Sequence, residues 1–227
     1  MRIEELDDEP SHRGGYALWE DREGACEVRF LGRGPGEERI AALSAVESAA
    51  PAVAWARQIH SARLLPATAG FCGEGDALAG STSGLALSVI TADCVPVLLA
   101  SASRLVAVHA GWRGIVAGIV PRAADELGSA APRTAWIGPA IGPCCYEVGE
   151  DVAVAVAAAS RPDVVVRGTA RPHLDLLGAV LHQLEAAGIE ALRILRLCTG
   201  CRSDLLWSYR RDGARAGRNM AFIWRHG

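Results

Sequence analysis

The 227 residues predict an α/β fold in a single domain spanning 1–227. Short apolar runs of strand length alternate with segments of helical spacing, the pattern of a layered α/β core. No internal repeat, linker or low-complexity tract divides the chain. Half the residues are hydrophobic and 22% are charged, the balance of a sequence that buries a core.

The elements follow in order. Residues 1–24, acidic and then Gly14-Gly15, read as an irregular segment. Residues 26–30 form a short strand, and 32–36 a Gly/Pro turn. Residues 37–49 have helical spacing, with Ile40, Leu43 and Val46 on one side. Pro51 ends that helix, and 53–59 reads as a strand leading to His60. Residues 63–66 continue it as a hairpin, and a Gly-rich loop fills 70–80 around Asp76. Two apolar runs, 85–91 and 95–100, flank Ala92-Asp93-Cys94. Residues 104–108 form a strand that ends at His109. Gly111-Trp112-Arg113-Gly114 opens a helix to about Leu127. A strand at 135–138, a helix at 147–159, an amphipathic helix at 174–187 stopped by Gly188, and strands at 192–197 and 220–224 complete the chain.

Composition excludes several chemistries. All 23 basic residues are Arg; there is no Lys. A Schiff-base lysine, a Walker-type phosphate loop and a protein kinase are therefore ruled out. Any anion must be held by Arg, backbone N–H groups or a metal. The formal charge of −3 speaks against nucleic acid as the main partner. The apolar run at 84–100 is broken by Asp93, so no membrane span is expected. With an acidic N-terminal stretch lacking an apolar signal core, the expected compartment is reducing cytoplasm. The seven Cys residues then read as thiols or metal ligands.

Three donors sit at strand ends: His60, Cys94 and His109. Two imidazoles and a thiolate suit Zn²⁺, and three protein ligands leave the open position of a catalytic site. The alternative is three unrelated buried side chains, since no compact motif links them. His109-Ala-Gly-Trp-Arg-Gly114 reads as an anion pocket of Gly111, the helix start and Arg113, or else as ordinary packing and surface pairing. In 138–147, the adjacent Cys144 and Cys145 are expected to point different ways, so that at most one faces a site. Cys198-Thr-Gly-Cys201 is a lone C-x-x-C, either a redox pair or half of a zinc knuckle without the usual second half. Ser208-Tyr-Arg-Arg211 with Gly217-Arg218 is either solvated surface or a phosphate-reading arm.

Taken together, Gln58-Ile-His60, Thr91-Ala-Asp-Cys-Val-Pro96, His109 to Gly114, Gly138-Pro-Ala-Ile-Gly-Pro-Cys-Cys-Tyr-Glu-Val148, Leu174-Asp-Leu176, Ser208 to Gly213 and Gly217-Arg218 resemble the YfiH-type laccase-domain family. The order of motifs matches from residue 58 to the C-terminus. The resemblance implies a layered α/β sandwich of mixed sheets, related to a cysteine-hydrolase-like fold. It implies a purine nucleoside phosphorylase acting on adenosine, inosine and methylthioadenosine, with adenosine deaminase side activity. It places the metal on His60, Cys94 and His109, with Zn²⁺ first and Cu²⁺ second. The N-terminal part departs from the family: its Ser-Leu-Asn-Leu stretch and Asn-Arg pair are replaced by His12-Arg-Gly-Gly15 and Glu38-Arg39.

In that frame the expected partners are a purine nucleoside and phosphate, with no nucleic acid, no membrane and a homodimer as the assembly. Arg113, Gly111, Arg211 and Arg218 are the expected phosphate contacts. Asp93 is expected as a proton shuttle or as an orienter of a ligand His, beside Cys94. Three rivals are weighed. A thiol hydrolase or amidase editing peptidoglycan precursors would use Cys94 as nucleophile and His109 as base. A copper polyphenol oxidase would want paired His-x-His clusters or an axial Met. The six His residues contain no such pair, and Met1 and Met220 are the only Met residues. A cell-division or cell-wall partner protein would need no intact site.

Overall fold

A computed structural model describes residues 1–128, 130–168 and 170–226. Its first half is strand-rich. The strands β1 (Arg2–Glu5), β2 (Ser11–Arg13), β3 (Tyr16–Glu23) and β4 (Cys26–Leu31) precede the helix α1 (Arg39–Val46). Then follow β5 (Ala52–Arg57), β6 (Leu64–Pro66), β7 (Gly70–Glu74), β8 (Ala77–Gly80), β9 (Leu85–Thr91), β10 (Val95–Ala100) and β11 (Leu105–Ala110). The second half carries α2 (Trp112–Val116), α3 (Ile119–Glu126), β12 (Thr134–Ile137), α4 (Glu150–Ala159), the short pair β13 (Val165–Val166) and β14 (His173–Leu174), α5 (Leu176–Ala186), β15 (Ala191–Ile194), α6 (Tyr209–Asp212) and β16 (Asn219–Arg225).

Two seven-stranded mixed sheets stack face to face. The first runs β1-β15-β12-β10-β11-β8-β6, the second β2-β3-β4-β16-β9-β5-β7. Side-chain alternation builds the layers. On β10, Val97 and Leu99 face the helices α2 to α5, while Leu98 and Ala100 face the second sheet. The second sheet turns Val28, Phe30, Leu87, Val89 and Ile223 inward, and Leu31, Phe222 and Trp224 outward against Leu43 and Val46 of α1. The order is helix, sheet, sheet, helices. Strands buried on both faces read as continuous apolar runs, which is why 85–110 was legible.

Several expectations are corrected. Residues 1–24 are not irregular: they hold β1, β2 and β3. β1 is an exposed edge strand, parallel to β15, so its charged side chains carry no burial pattern. Gly14-Gly15, with φ of +59° and +83°, is the two-residue turn of the β2–β3 hairpin. The 70–80 loop contains β7 and β8, short strands whose glycines lie in sheet ladders. Residues 64–66 do not continue a hairpin from β5; they pair in parallel with β8 in the other sheet. The helix expected from 111 to 127 is broken at Gly118, whose φ of +80° separates α2 from α3.

The connections position the site. The chain crosses from the second sheet to the first three times: between β5 and β6, β7 and β8, and β9 and β10. His60, Asp76 and Asp93-Cys94 lie on these crossings. His60 (φ +58°) and Asp93 (φ +99°) are the only non-glycine residues with positive φ among the described residues. Strain of this kind concentrates where surrounding structure over-determines a functional geometry.

Candidate metal centre

His60, Cys94 and His109 come together. One ligand atom from each lies within 4.8 Å of the others. His60 Nε2 stands 3.9 Å from Cys94 Sγ, and the two imidazoles meet edge to face with centroids 4.8 Å apart. His109 is buried at the end of β11, and His60 is exposed, so the group opens to solvent on the His60 side.

Behind the donors sits Asp76, fully buried. Its carboxylate accepts from the backbone N–H of His60 (2.9 Å) and Ser61 (2.6 Å) and from the Ser61 hydroxyl (2.7 Å). His109 Nδ1 lies 2.9 Å from Asp76 Oδ1, and an ionised carboxylate only accepts, so Nδ1 is assigned the proton. Nε2 is then the atom left to face Cys94 and a metal, the usual arrangement of a carboxylate-oriented ligand histidine. Burial opposes ionisation of Asp76, but the bonds from His109 and Ser61 outweigh it and hold the carboxyl at about 2. Burial likewise raises the Cys94 thiol, and the His109 and His60 imidazoles overcome this and pull it below the usual thiol range.

Gly111 keeps the group open. A Cβ there would stand 3.0 Å from Cys94 Sγ and 3.0 Å from His60 Cδ2. Its φ of −79° is open to any residue, so the need for glycine is spatial and not conformational. Two imidazoles, one thiol inclined to ionise, a buried carboxylate behind one imidazole and a cleared front together fit a divalent transition metal.

Asp93 is held, not poised. Its carboxylate accepts from the Thr199 hydroxyl (2.6 Å) and the Arg210 backbone N–H (2.6 Å), and its carbonyl accepts from Ile141 N–H (2.9 Å). It therefore locks the turn that presents Cys94. The arginines divide. Arg113 is exposed and lies over the Trp112 ring at 4.5 Å. Arg211 donates to the carbonyls of Thr199, Gly200 and Leu206 and to the Asp212 carboxylate, which makes it a brace for 199–206. Arg218 folds back onto the carbonyls of Ala216 and Gly217.

A cavity of about 380 Å³ is lined by Trp112, Tyr146, Val152, Arg171 and Arg210 among others; the three donors are not in its wall, and Trp112, next to Gly111, and Tyr146, which senses the Cys94 charge, connect it to them. The Arg210 guanidinium stacks 4.9 Å from the Tyr146 ring. Burial and the nearby Cys94 and Asp93 charges push the Tyr146 hydroxyl up to about 12, so it stays a donor at neutral pH. Sequence reasoning passed over Asp76, Tyr146 and Arg210 as site residues. Tyr146 and Arg210 do lie in the motifs quoted above. Asp76 had no local signal, because its partners arrive from the β5–β6 crossing and from the end of β11.

The fold and this donor set define a two-sheet mixed α/β protein with a candidate metal site of two imidazoles and a thiol. The family model described as "Multi-copper polyphenol oxidoreductase laccase" matches residues 36–226, and the chain belongs to that family. A purine nucleoside phosphorylase from Deinococcus radiodurans is 39% identical over 82% of this chain and 76% of its own length. An adenosine deaminase from an unknown prokaryote, RL5, is 39% identical over 66% of this chain and 62% of its own. Among solved structures, YlmD from Geobacillus stearothermophilus superposes with a TM-score of 0.80 at 26% identity, covering 90% of this chain and 93% of its own. The two-sheet α/β architecture is the one these neighbours share. Purine-nucleoside activities appear in the names of both sequence relatives.

Proposed function

We propose that this chain is a purine nucleoside phosphorylase. It converts adenosine or inosine and phosphate to the free base and ribose 1-phosphate, or methylthioadenosine and phosphate to adenine and 5-methylthioribose 1-phosphate, and it hydrolyses adenosine to inosine and ammonia as a side activity. The observation that carries the reading is the three-donor site opened by Gly111 beside an arginine- and tyrosine-lined cavity. The names of the relatives favour the same substrate class. A cavity of about 380 Å³ lies in the range of small-molecule sites.

His60, Cys94 and His109 would hold Zn²⁺, with Cu²⁺ as the second fit. The ion, when bound, supplies a Lewis acid for the deaminase step. Every other role falls to the chain. In phosphorolysis a phosphate oxygen attacks C1′ as the C1′–N9 bond breaks, and the base leaves with the bonding pair and takes a proton. Arg113, by its exposure, and Arg210, by its place in the cavity wall, are the phosphate candidates; Arg210 donates through Nη1 to the Glu147 carbonyl, whereas Arg211 and Arg218 each donate to two or more backbone carbonyls. Tyr146 donates to an anion or to the leaving base, and Trp112 offers a flat face. Asp76 fixes the His109 tautomer, and Asp93 fixes the Cys94 turn.

A second reading has its own observation: Asp76, His109 and Cys94 align as acid, base and thiol nucleophile, the constellation of a thiol hydrolase. Gly111 and His60 weigh against it, because a triad needs neither a third donor nor a cleared space between them. The copper polyphenol oxidase reading lacks an axial ligand. Met220 is buried in the core beneath α1, and Met1 sits at the exposed edge.

The decisive assay incubates the purified protein with adenosine, with and without phosphate, and separates adenine, hypoxanthine and inosine by chromatography beside a metal analysis. Adenine release that requires phosphate is expected, with inosine formed in either case. A protein that releases no base, and whose only turnover is blocked by thiol alkylation and indifferent to chelation, would be a hydrolase instead.

A further inference from the structure

The second donor group is Cys144, Cys145, Cys198 and Cys201, four free thiols whose sulfurs all lie within 4.8 Å of one another. Cys144 Sγ is 3.5 Å from both Cys198 Sγ and Cys201 Sγ, and Cys145 Sγ is 3.5 Å from Cys201 Sγ. The expectation that at most one of the adjacent cysteines faces a site is thereby corrected. The C-x-x-C of 198–201 also acquires, from Cys144 and Cys145, the second half that its own segment lacks. The two halves lie more than fifty residues apart in the chain, with a sequence separation of 54 between Cys144 and Cys198.

We infer that these four cysteines form a second, structural metal site, a tetrathiolate that takes Zn²⁺. Tetrahedral zinc with Zn–S bonds of about 2.3 Å sets its sulfurs about 3.8 Å apart, close to the spacing found here. A core of several irons would need more room between the sulfurs. Glycines clear the space: a Cβ on Gly200 would stand 2.9 Å from Cys145 Sγ, and one on Gly142 3.3 Å from Cys144 Sγ. The Gly142 backbone N–H donates to Cys198 Sγ at 3.2 Å, the type of bond that favours a thiolate. The Arg211 guanidinium, bonded to the Thr199 and Gly200 carbonyls, supplies positive charge beside the cluster.

The site has a structural task. It ties the 138–149 loop to the 198–202 turn. Both are bound to Asp93, through Ile141 N–H and through the Thr199 hydroxyl. A tetrathiolate there fixes the turn that presents Cys94. The site has no free coordination position and takes no part in turnover. It stands independently of the phosphorylase reading.

The test expresses the full chain in zinc-supplemented medium and purifies it anaerobically. Wild type should carry two zinc ions per chain. The Cys94→Ser protein should keep one, and its X-ray absorption should show four sulfur neighbours at about 2.3 Å. Cys201→Ser should lose the other ion, keep the one at His60, Cys94 and His109, and melt at a lower temperature. If Cys201→Ser fails to fold, the Cys94→Ser spectrum still decides. A Cys94→Ser protein that folds without metal overturns the inference. So does one whose zinc has mainly nitrogen and oxygen neighbours, or alkylation mapping that finds the four cysteines paired as disulfides.

Discussion

The two donor clusters share a seam yet differ in kind. The His60–Cys94–His109 group mixes two imidazoles with one thiol, opens to solvent at His60 and adjoins a cavity. The four-cysteine group presents a full set of thiols and has glycines packed against its sulfurs. Three donors that leave a coordination position suit chemistry, and four donors that complete a tetrahedron suit cross-linking. Asp93 joins them. It precedes Cys94 in the chain and receives hydrogen bonds from the loops that carry the four cysteines. The turn that carries Cys94 is therefore bonded to both loops that carry the four cysteines.

Cys94→Ala should break the comparison most sharply. Inosine formation from adenosine should fall to background and one metal per chain should be lost, while the four-cysteine ion stays. Metal analysis and chromatography read both effects. Asp76→Asn should follow, with a loss of roughly 10- to 100-fold in activity or metal affinity at the three-donor site. The amide no longer compels the His109 tautomer. Titration with a competing chelator measures it, and the four-cysteine site should not respond.

Gly111→Ala isolates crowding. The backbone there accepts alanine, so a loss of about tenfold in metal affinity with little change in melting temperature would report the contact with Cys94 and His60 alone. Acid titration of the metal-free protein gives a smaller effect. The Asp76 carboxyl is lowered from 3.8 to about 2 on folding, so its contribution is present above pH 4 and is lost as pH falls through 2. The shift corresponds to about 2 kcal/mol. Denaturant midpoints between pH 5 and 2 should show that slope in wild type and not in Asp76→Asn. Smallest is Thr199→Val, which removes the hydroxyl donor to Asp93 at a cost of about 1 kcal/mol. Its effect on stability should shrink when the four cysteines are stripped of metal, because both act on the same turn.

Much of the site was legible before the structure. His60, Cys94 and His109 each follow or end an apolar run, and the surrounding motifs carry enough residues to be specific. Asp76 was not legible. Its hydrogen-bond partners, residues 59–61 and His109, come from other segments of the chain. Arg210 and Arg211 are neighbours in sequence, and only packing shows that Arg210 faces the cavity while Arg211 braces the 199–206 segment.

By itself the sequence determined the α/β class and the central buried strands, because apolar runs are local properties; it offered His60, Cys94 and His109 as a set only through the family resemblance, and the tertiary structure brought them together. The sequence also determined that anions meet arginine, since no lysine exists. The tertiary structure decided β1 and β2, whose exposed ladders leave no hydrophobic period; the start of β3, the buried apolar run Tyr16–Trp19, did carry a local signal that the sequence reading passed over. It decided that two halves of a four-cysteine cluster meet across a separation of 54 residues. Such a meeting depends on how the two sheets stack and cross, and neither spacing nor composition encodes that.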